Sequence, residues 1–209
     1  ANGLISKPGI ILGVAIGFIL LAIGLALNAG NPALAIFLAL GASIYIGIYT
    51  VWLKPRTVLN IVIGGAAGSC AVLSGSAAAG NWSEPGAVAL AMLVFIWTPT
   101  HFWSLAMAFR DDYSRAGVPM LPTVISDRAT AWWIALHTVA TSVVALMLAV
   151  HPALGLLYFI PIALATVWMT SHSIRLIAHP EHDQAFKVFK ISNLYLGLVL
   201  IFIYIGTLI

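Results

Sequence analysis

"AVALAMLVFIWTPTHFWSLAMAFRDDYSR" (residues 87–115) carries no charge from Ala87 to Phe109 and then sets four charges into the six residues Arg110–Arg115. An uncharged run of that length makes about 35 Å of helix at ~1.5 Å per residue, enough to cross the roughly 30 Å hydrocarbon core of a bilayer. Six other runs are almost as free of charge: Ile10–Leu27, Ala33–Leu53, Ile61–Ala79, Ala131–Val150, Ala153–Ile177 and Ile191–Ile209. The 209-residue chain is 62% hydrophobic and 7% charged, a balance that suits lipid and not a water-soluble core. The expectation is an all-α polytopic membrane protein with seven transmembrane helices, one domain over residues 1–209, no soluble domain and no nucleic-acid partner.

The charges sort by side. Lys7 precedes the first run, Lys54 and Arg56 follow the second, and Arg110, Arg115 and Arg128 follow the fourth. Arg175, Lys187 and Lys190 surround the last connection. Every Lys and Arg therefore falls on one face of the bilayer, which is the cytoplasmic one by the positive-inside rule. Glu84 is the one acid on the other face. The N-terminus and charged loops are expected to be cytoplasmic and the C-terminus outside. The segment Ala1–Pro8 has no initiator Met and no signal-peptide order, and reads as the start of a fragment or processed form. Cys70 is the single cysteine, a small apolar packing residue inside a span, so neither a disulfide nor a cysteine metal site is expected. "GVAIG" (Gly13–Gly17) and "GGAAG" (Gly64–Gly68) have the small-residue spacing that lets helices approach closely in lipid.

Asp111 and Asp112 can be read as a solvated helix end or as ligands. The loop after them carries "AGVPMLP" (Ala116–Pro122), poor in solvating residues, and reads as an ordered cap. If the fourth helix continues through the acids, Trp97, His101, Ser104, Ala108 and Asp112 share one face, with His101 about 15 Å deeper than the acids. Pro99 can kink this helix, and polar groups at that depth usually face a cavity. "LKPRT" (Leu53–Thr57) supplies Lys54 and Arg56, with Asn60 one turn on. Carboxylates and cations meeting at one cavity suit a Mg²⁺–diphosphate, the acids on the metal and the cations on phosphate. Membrane anchoring alone is the other reading of Lys54 and Arg56. His137 reads as a packing residue, His151 as part of a turn, and His179 and His182 as polar loop without zinc spacing.

"YTVWLKPRTVLNIVIGGAAG" (Tyr49–Gly68), followed by "WTPTHFWSLAMAFRDDYSRAGVPMLPTV" (Trp97–Val124), closely resembles the protohaem IX farnesyltransferase family of intramembrane prenyltransferases. The resemblance extends over the chain and is densest from Tyr45 to Val124. It implies nine transmembrane helices around a central cavity, two of them upstream of Ala1 together with a first acidic motif. It implies farnesyl transfer from farnesyl diphosphate to a vinyl group of haem b with Mg²⁺, giving haem O and pyrophosphate. Arg110, Asp111, Asp112 and Tyr113 match the second acidic motif, with Asp111 and Asp112 as metal ligands and Tyr113 as a third catalytic residue. Lys54, Arg56, Arg110 and Arg115 would hold diphosphate, and His101 and Asn60 would contact haem. Partners implied are the two substrates, the lipid bilayer and haem A synthase.

This sequence departs from the family pattern in two places. Without the first acidic motif the metal clamp is half built, so residues 1–209 alone are expected to be inactive. "AGSCAVLSG" (Ala67–Gly75) has Ala71 and Val72 where relatives carry paired prolines, which predicts a straighter helix.

Three other functions compete with this one. Prenylation of a quinone precursor shares the diphosphate chemistry. A retinal protein needs a lysine inside a span, and Lys7, Lys54, Lys187 and Lys190 all lie at ends or in loops. A transporter usually shows ionisable residues near the midplane or repeated broken helices, and only histidines lie at depth here.

Overall fold

The computed structural model describes residues 8–208; Lys7 and the rest of the opening segment, and Ile209, lie outside the described residues. Nine α-helices follow one another, with no strand among the described residues: α1 (Pro8–Asn28), α2 (Pro32–Ala42), α3 (Asn60–Ala78), α4 (Pro85–Ala108), α5 (Arg110–Arg115), α6 (Leu121–Val124), α7 (Asp127–Met147), α8 (Gly155–Ala178) and α9 (His182–Leu208). A π-helical segment, Ser43–Leu53, prolongs α2, and a short 3-10 turn, Leu148–Val150, prolongs α7. Seven of the resulting rods are long and apolar enough to cross a membrane, the number expected. The chain is an integral membrane protein.

Six of the seven spans have both boundaries within about four residues of expectation. The last rod starts at His182 instead of Ile191. Its extra turns carry Asp183, Lys187 and Lys190; the apolar run marks the part inside lipid, while the helix projects beyond it.

The sequence sets the turns at one end. After α1 and after α3 the chain reads Ala-Gly-Asn, and Gly30 and Gly80 take positive φ values of 71° and 82°, open to glycine at no steric cost. Asn31 N–H then reaches back to Ala26 O, and Asn81 N–H to Ser76 O. The Asn31 carboxamide caps α2 through Leu34 N–H and donates to Ala77 O at 2.7 Å, joining the two turns.

α4 is the central element, packed against α3, α7 and α9. Of its most apolar window 44% is buried, against 6% for the first two rods, which lie at the periphery. One apolar cluster, with Trp103, Met107, Met120, Ile134 and Val188, fills the end of the bundle below α5. A second, with Leu93, Tyr158, Ile162, Met169 and Tyr195, fills the other end. Several buried polar groups are paired across helices, as hydrocarbon surroundings favour, and others bond within their own helix, as Ser74 does to Cys70 O. Tyr158 donates to Ala145 O at 2.8 Å, the Tyr195 and Thr166 hydroxyls meet at 2.9 Å, and Thr138 and Ser173 at 3.0 Å.

Only one of the two small-residue motifs packs closely. A Cβ on Gly65 would stand 3.2 Å from Phe95 O and from Thr98 Cβ, and one on Gly68 3.0 Å from Val94 Cγ1, so α3 and α4 touch backbone to backbone. Gly13 and Gly17 have open space around them. α3 runs unbroken through Ala71 and Val72, as their lack of proline predicts.

Gly65→Val should therefore overpack the α3–α4 seam and lower stability by about 1–3 kcal/mol. Gly75→Ala, on the same helix with nothing within 4 Å of its Cβ, should leave stability unchanged or raised. Thermal unfolding of both variants in detergent checks the contrast.

Candidate functional site

The fourth helix does not continue to the acids. It ends at Ala108, Phe109 leaves helical geometry (φ −113°, ψ 36°), and α5 starts afresh at Arg110. The Phe109 ring sets edge-on against Phe186 at 5.8 Å and His182 at 5.9 Å. An apolar anchor on α9 thus redirects the chain where it leaves lipid. The expected shared face holds as far as Trp97, His101, Ser104 and Ala108, all buried, and Asp112 is not on it.

α5 divides its side chains between two cavities. Asp111, Asp112 and Arg115, at helical spacing, face one of about 400 Å³, with Arg110, Asp127, Pro180 and His182 completing the wall. Tyr113, between them in sequence, faces a second. In the first, Arg110 donates to Asp127 at 2.7 Å and Arg115 pairs with Asp112. Asp111 has no ion pair among the described residues. The Arg115–Asp112 side chains are 77% and 60% exposed, so this pair adds little stability, within ~1 kcal/mol. Arg115 can change partner at small cost.

The second cavity, about 390 Å³, is an aromatic slot between the π-helical segment and α4. Tyr45, Tyr49 and Thr50 line it with Phe102, Thr98 and Tyr113, and Lys54 is part of the same wall. The π-helix makes this wall. In an α-helix Tyr45 and Lys54 would be about two and a half turns apart and on opposite sides. Here bonds span five residues, as in Lys54 N–H to Tyr49 O at 2.8 Å, so residues four or five apart align. The Tyr45 and Tyr49 rings stack at 5.7 Å, and Lys54 Nζ stands 5.7 Å from the centre of the Tyr49 ring. Burial raises the Tyr113 phenol above its ordinary range, leaving it a neutral hydroxyl at physiological pH.

Sequence reasoning put the cations of the basic loop and the acids at one cavity. The structure places Lys54 and the Asp pair on neighbouring cavities with α5 between them. Arg56 faces neither. Its guanidinium donates to Val51 O at 3.0 Å and Trp52 O at 2.7 Å, closing the end of the π-helical segment.

Asn60 and His101 lie inside the protein. Asn60 is fully buried, and its Nδ2 donates to Thr57 O at 2.7 Å and Pro119 O at 3.2 Å. It ties the basic loop to the chain after α5, and its Oδ1 has no partner. His101 stacks on Trp97 at 4.4 Å and lies tilted against Phe189 at 4.6 Å, and its Nδ1 meets Ser192 Oγ at 3.1 Å. Trp97 Nε1 donates to Ser192 O at 2.9 Å. The face that sequence reasoning assigned to a cavity is packed on α9.

Among the described residues no group of three or more His, Cys, Asp and Glu comes together as a metal cage. The two α5 carboxylates are hard oxygen donors beside open volume, a set that fits Mg²⁺ completed by water and phosphate oxygens. The sequence reading missed Tyr45, Tyr49, Thr50 and Phe102. Their signal was the run of aromatics at Tyr45, Tyr49 and Trp52, whose common face depends on a helix type that apolar periodicity does not reveal.

The UbiA prenyltransferase family matches residues 1–202. A protoheme IX farnesyltransferase of Sulfurisphaera tokodaii is 42% identical over 196 residues, 93% of this chain and 64% of that protein. Those of Metallosphaera sedula (40% identical, 93% and 68%) and Sulfolobus acidocaldarius (41% identical, 82% and 59%) are similar. The chain thus spans about two thirds or less of the length of these curated relatives. No solved structure matches it.

Asn60→Ala should unlatch the two loops at a cost of about 1–3 kcal/mol, offset in part by removal of the unpaired Oδ1. Hydrogen exchange of the amides of Val118 and Met120 should speed up several-fold while the α4 and α7 amides stay protected.

Proposed function

The chain belongs to the UbiA prenyltransferase family, and from that premise we propose that the whole protein moves a farnesyl group from farnesyl diphosphate to a vinyl group of haem b, releasing pyrophosphate and giving haem O. The observation that carries this reading is the arrangement around α5. Two carboxylates, of which Asp111 has no ion pair among the described residues, and two arginines stand on one side of it, and an aromatic slot that includes Lys54 on the other. A diphosphate and its hydrocarbon tail need those two environments side by side.

Asp111 and Asp112 would hold Mg²⁺, whose charge helps the pyrophosphate leave. Arg115, released from its exposed pair, and Arg110 would bind phosphate oxygens, with Lys54 reaching the same group from the slot. The slot walls would hold the isoprenoid chain and exclude water from the allylic cation. The Tyr113 hydroxyl, neutral and at the boundary, would orient the chain where it passes from one environment to the other. The haem vinyl would then attack the allylic carbon as the bond to pyrophosphate breaks, and the cation left beside the ring would be captured by water, which gives up a proton and leaves the hydroxyl of haem O. Arg56, His101 and Asn60 would act by position, setting the π-segment end, the α4–α9 seam and the loop latch. The support for haem as acceptor is the printed name of the relatives and the "PTHFWSLA" block (Pro99–Ala106); prenylation of a quinone precursor is the alternative the same site would serve.

All eight described Lys and Arg lie at the α5 end of the bundle, which we place in the cytoplasm, with the turns at Gly30, Gly80 and His151 outside. Haem O stays membrane-bound, and its hand-over to haem A synthase within the bilayer belongs to the same reading.

In the whole protein, Asp112→Asn should cut prenyl transfer by at least about a hundred-fold, since it removes charge from the transition-state clamp and no packing volume. Unfolding temperature and haem affinity should be retained. Unchanged turnover would return Asp112 to a solvated helix end. His101→Ala should lower stability with farnesyl diphosphate affinity kept; loss of haem affinity in a folded protein would make His101 a haem contact instead.

A further inference from the structure

A groove between α8 and α9, away from both cavities around α5, carries unpaired positive charge. It is an open depression of about 330 Å³ lined by Trp168, His172, Lys187, Lys190, Ile191 and Leu194. On α9 the four lining residues fall three and four apart, one stripe of a helix. On α8, Trp168 and His172 are four apart, their rings edge to face at 6.1 Å. Gln184 Nε2 donates to His172 O at 2.9 Å and lies 3.3 Å from its Nδ1, fixing the start of α9 against α8.

Asp183 lies within electrostatic reach of Lys187, yet no cation of the groove closes an ion pair among the described residues. Lys187 and Lys190 are exposed, Lys190 Nζ lies 4.9 Å over the Phe186 ring, and Arg175 and Lys187 are within electrostatic reach of His172. Among the described residues neither lysine nor Arg175 forms an ion pair. Asp183, one turn before Lys187, has its carboxylate on His182 at 3.0 Å.

The groove is graded along the membrane normal. Going inward, α9 passes from Lys187 and Lys190 to Leu194, and α8 from Arg175 and His172 to Trp168. Cations at the rim and apolar and aromatic groups about 6 Å deeper match a molecule with an anionic head and a hydrocarbon tail. The exposed flank beyond it, with Val167, Ile174 and Leu194, is apolar, as a lipid-facing surface must be.

We propose that this groove binds an anionic phospholipid of the leaflet on the α5 side, its phosphate between Lys187 and Lys190 and one chain along Ile191, Leu194 and Trp168. Native mass spectrometry of the protein released from nanodiscs of mixed phosphatidylglycerol and phosphatidylcholine tests it. The wild type should retain phosphatidylglycerol over phosphatidylcholine by roughly ten-fold. Lys187→Gln/Lys190→Gln should fall to near parity, while Arg128→Gln, which removes another exposed cation of the same face, should keep the preference. Unfolding temperatures in pure phosphatidylcholine should agree among the three proteins. A preference that survives the double substitution, or is absent from the wild type, would overturn the proposal. Displacement of the lipid by millimolar inorganic phosphate would also overturn it, by showing an anion site that ignores the tail.

Discussion

Hydrocarbon supplies no hydrogen bonds, and that one constraint shapes the protein from end to end. Every polar side chain sent into the bundle has to meet a partner on another helix or on its own. The seams follow: Ser69 donates to Ala91 O between α3 and α4, Trp97 and His101 converge on Ser192 between α4 and α9, and Thr138 meets Ser173 between α7 and α8. α4 takes part in two of the three and is the most buried rod for that reason. The few atoms left unpaired, Asn60 Oδ1, Trp103 Nε1 and His137 Nδ1, are the exceptions within the described residues.

The constraint also fixes where chemistry can happen. Charge concentrates where the helices leave lipid, and there the backbone departs from α geometry twice. The π-helical turn turns Tyr45, Tyr49 and Lys54 to one wall, and the break at Phe109 frees α5 to show acids to one side and Tyr113 to the other. Asn60 holds the two departures together through Pro119. A charged compartment and an aromatic one end up a single short helix apart.

The spans were legible because length and lack of charge are properties of sequence alone, and the start of α9 was misjudged because its polar turns leave no apolar trace. The acidic cluster was legible as a run of charges, and the turn of Tyr113 to a second cavity was not, since that follows from one residue, Phe109, finding Phe186 and His182 far along the chain. His101 looked like a group facing a cavity because depth was readable and its partner Ser192, 91 residues away, was not. Gly65 and Gly13 sit in indistinguishable motifs; only the helix that lies against each tells them apart.

The most direct test of the central reading is the identity of the prenylated product. Membranes containing the whole protein, given haem b, farnesyl diphosphate and Mg²⁺, should yield by mass spectrometry a haem that has gained a farnesyl unit, with none formed when the metal is chelated. Unmodified haem, with the farnesyl group instead on a quinone precursor supplied in the same mixture, would contradict it.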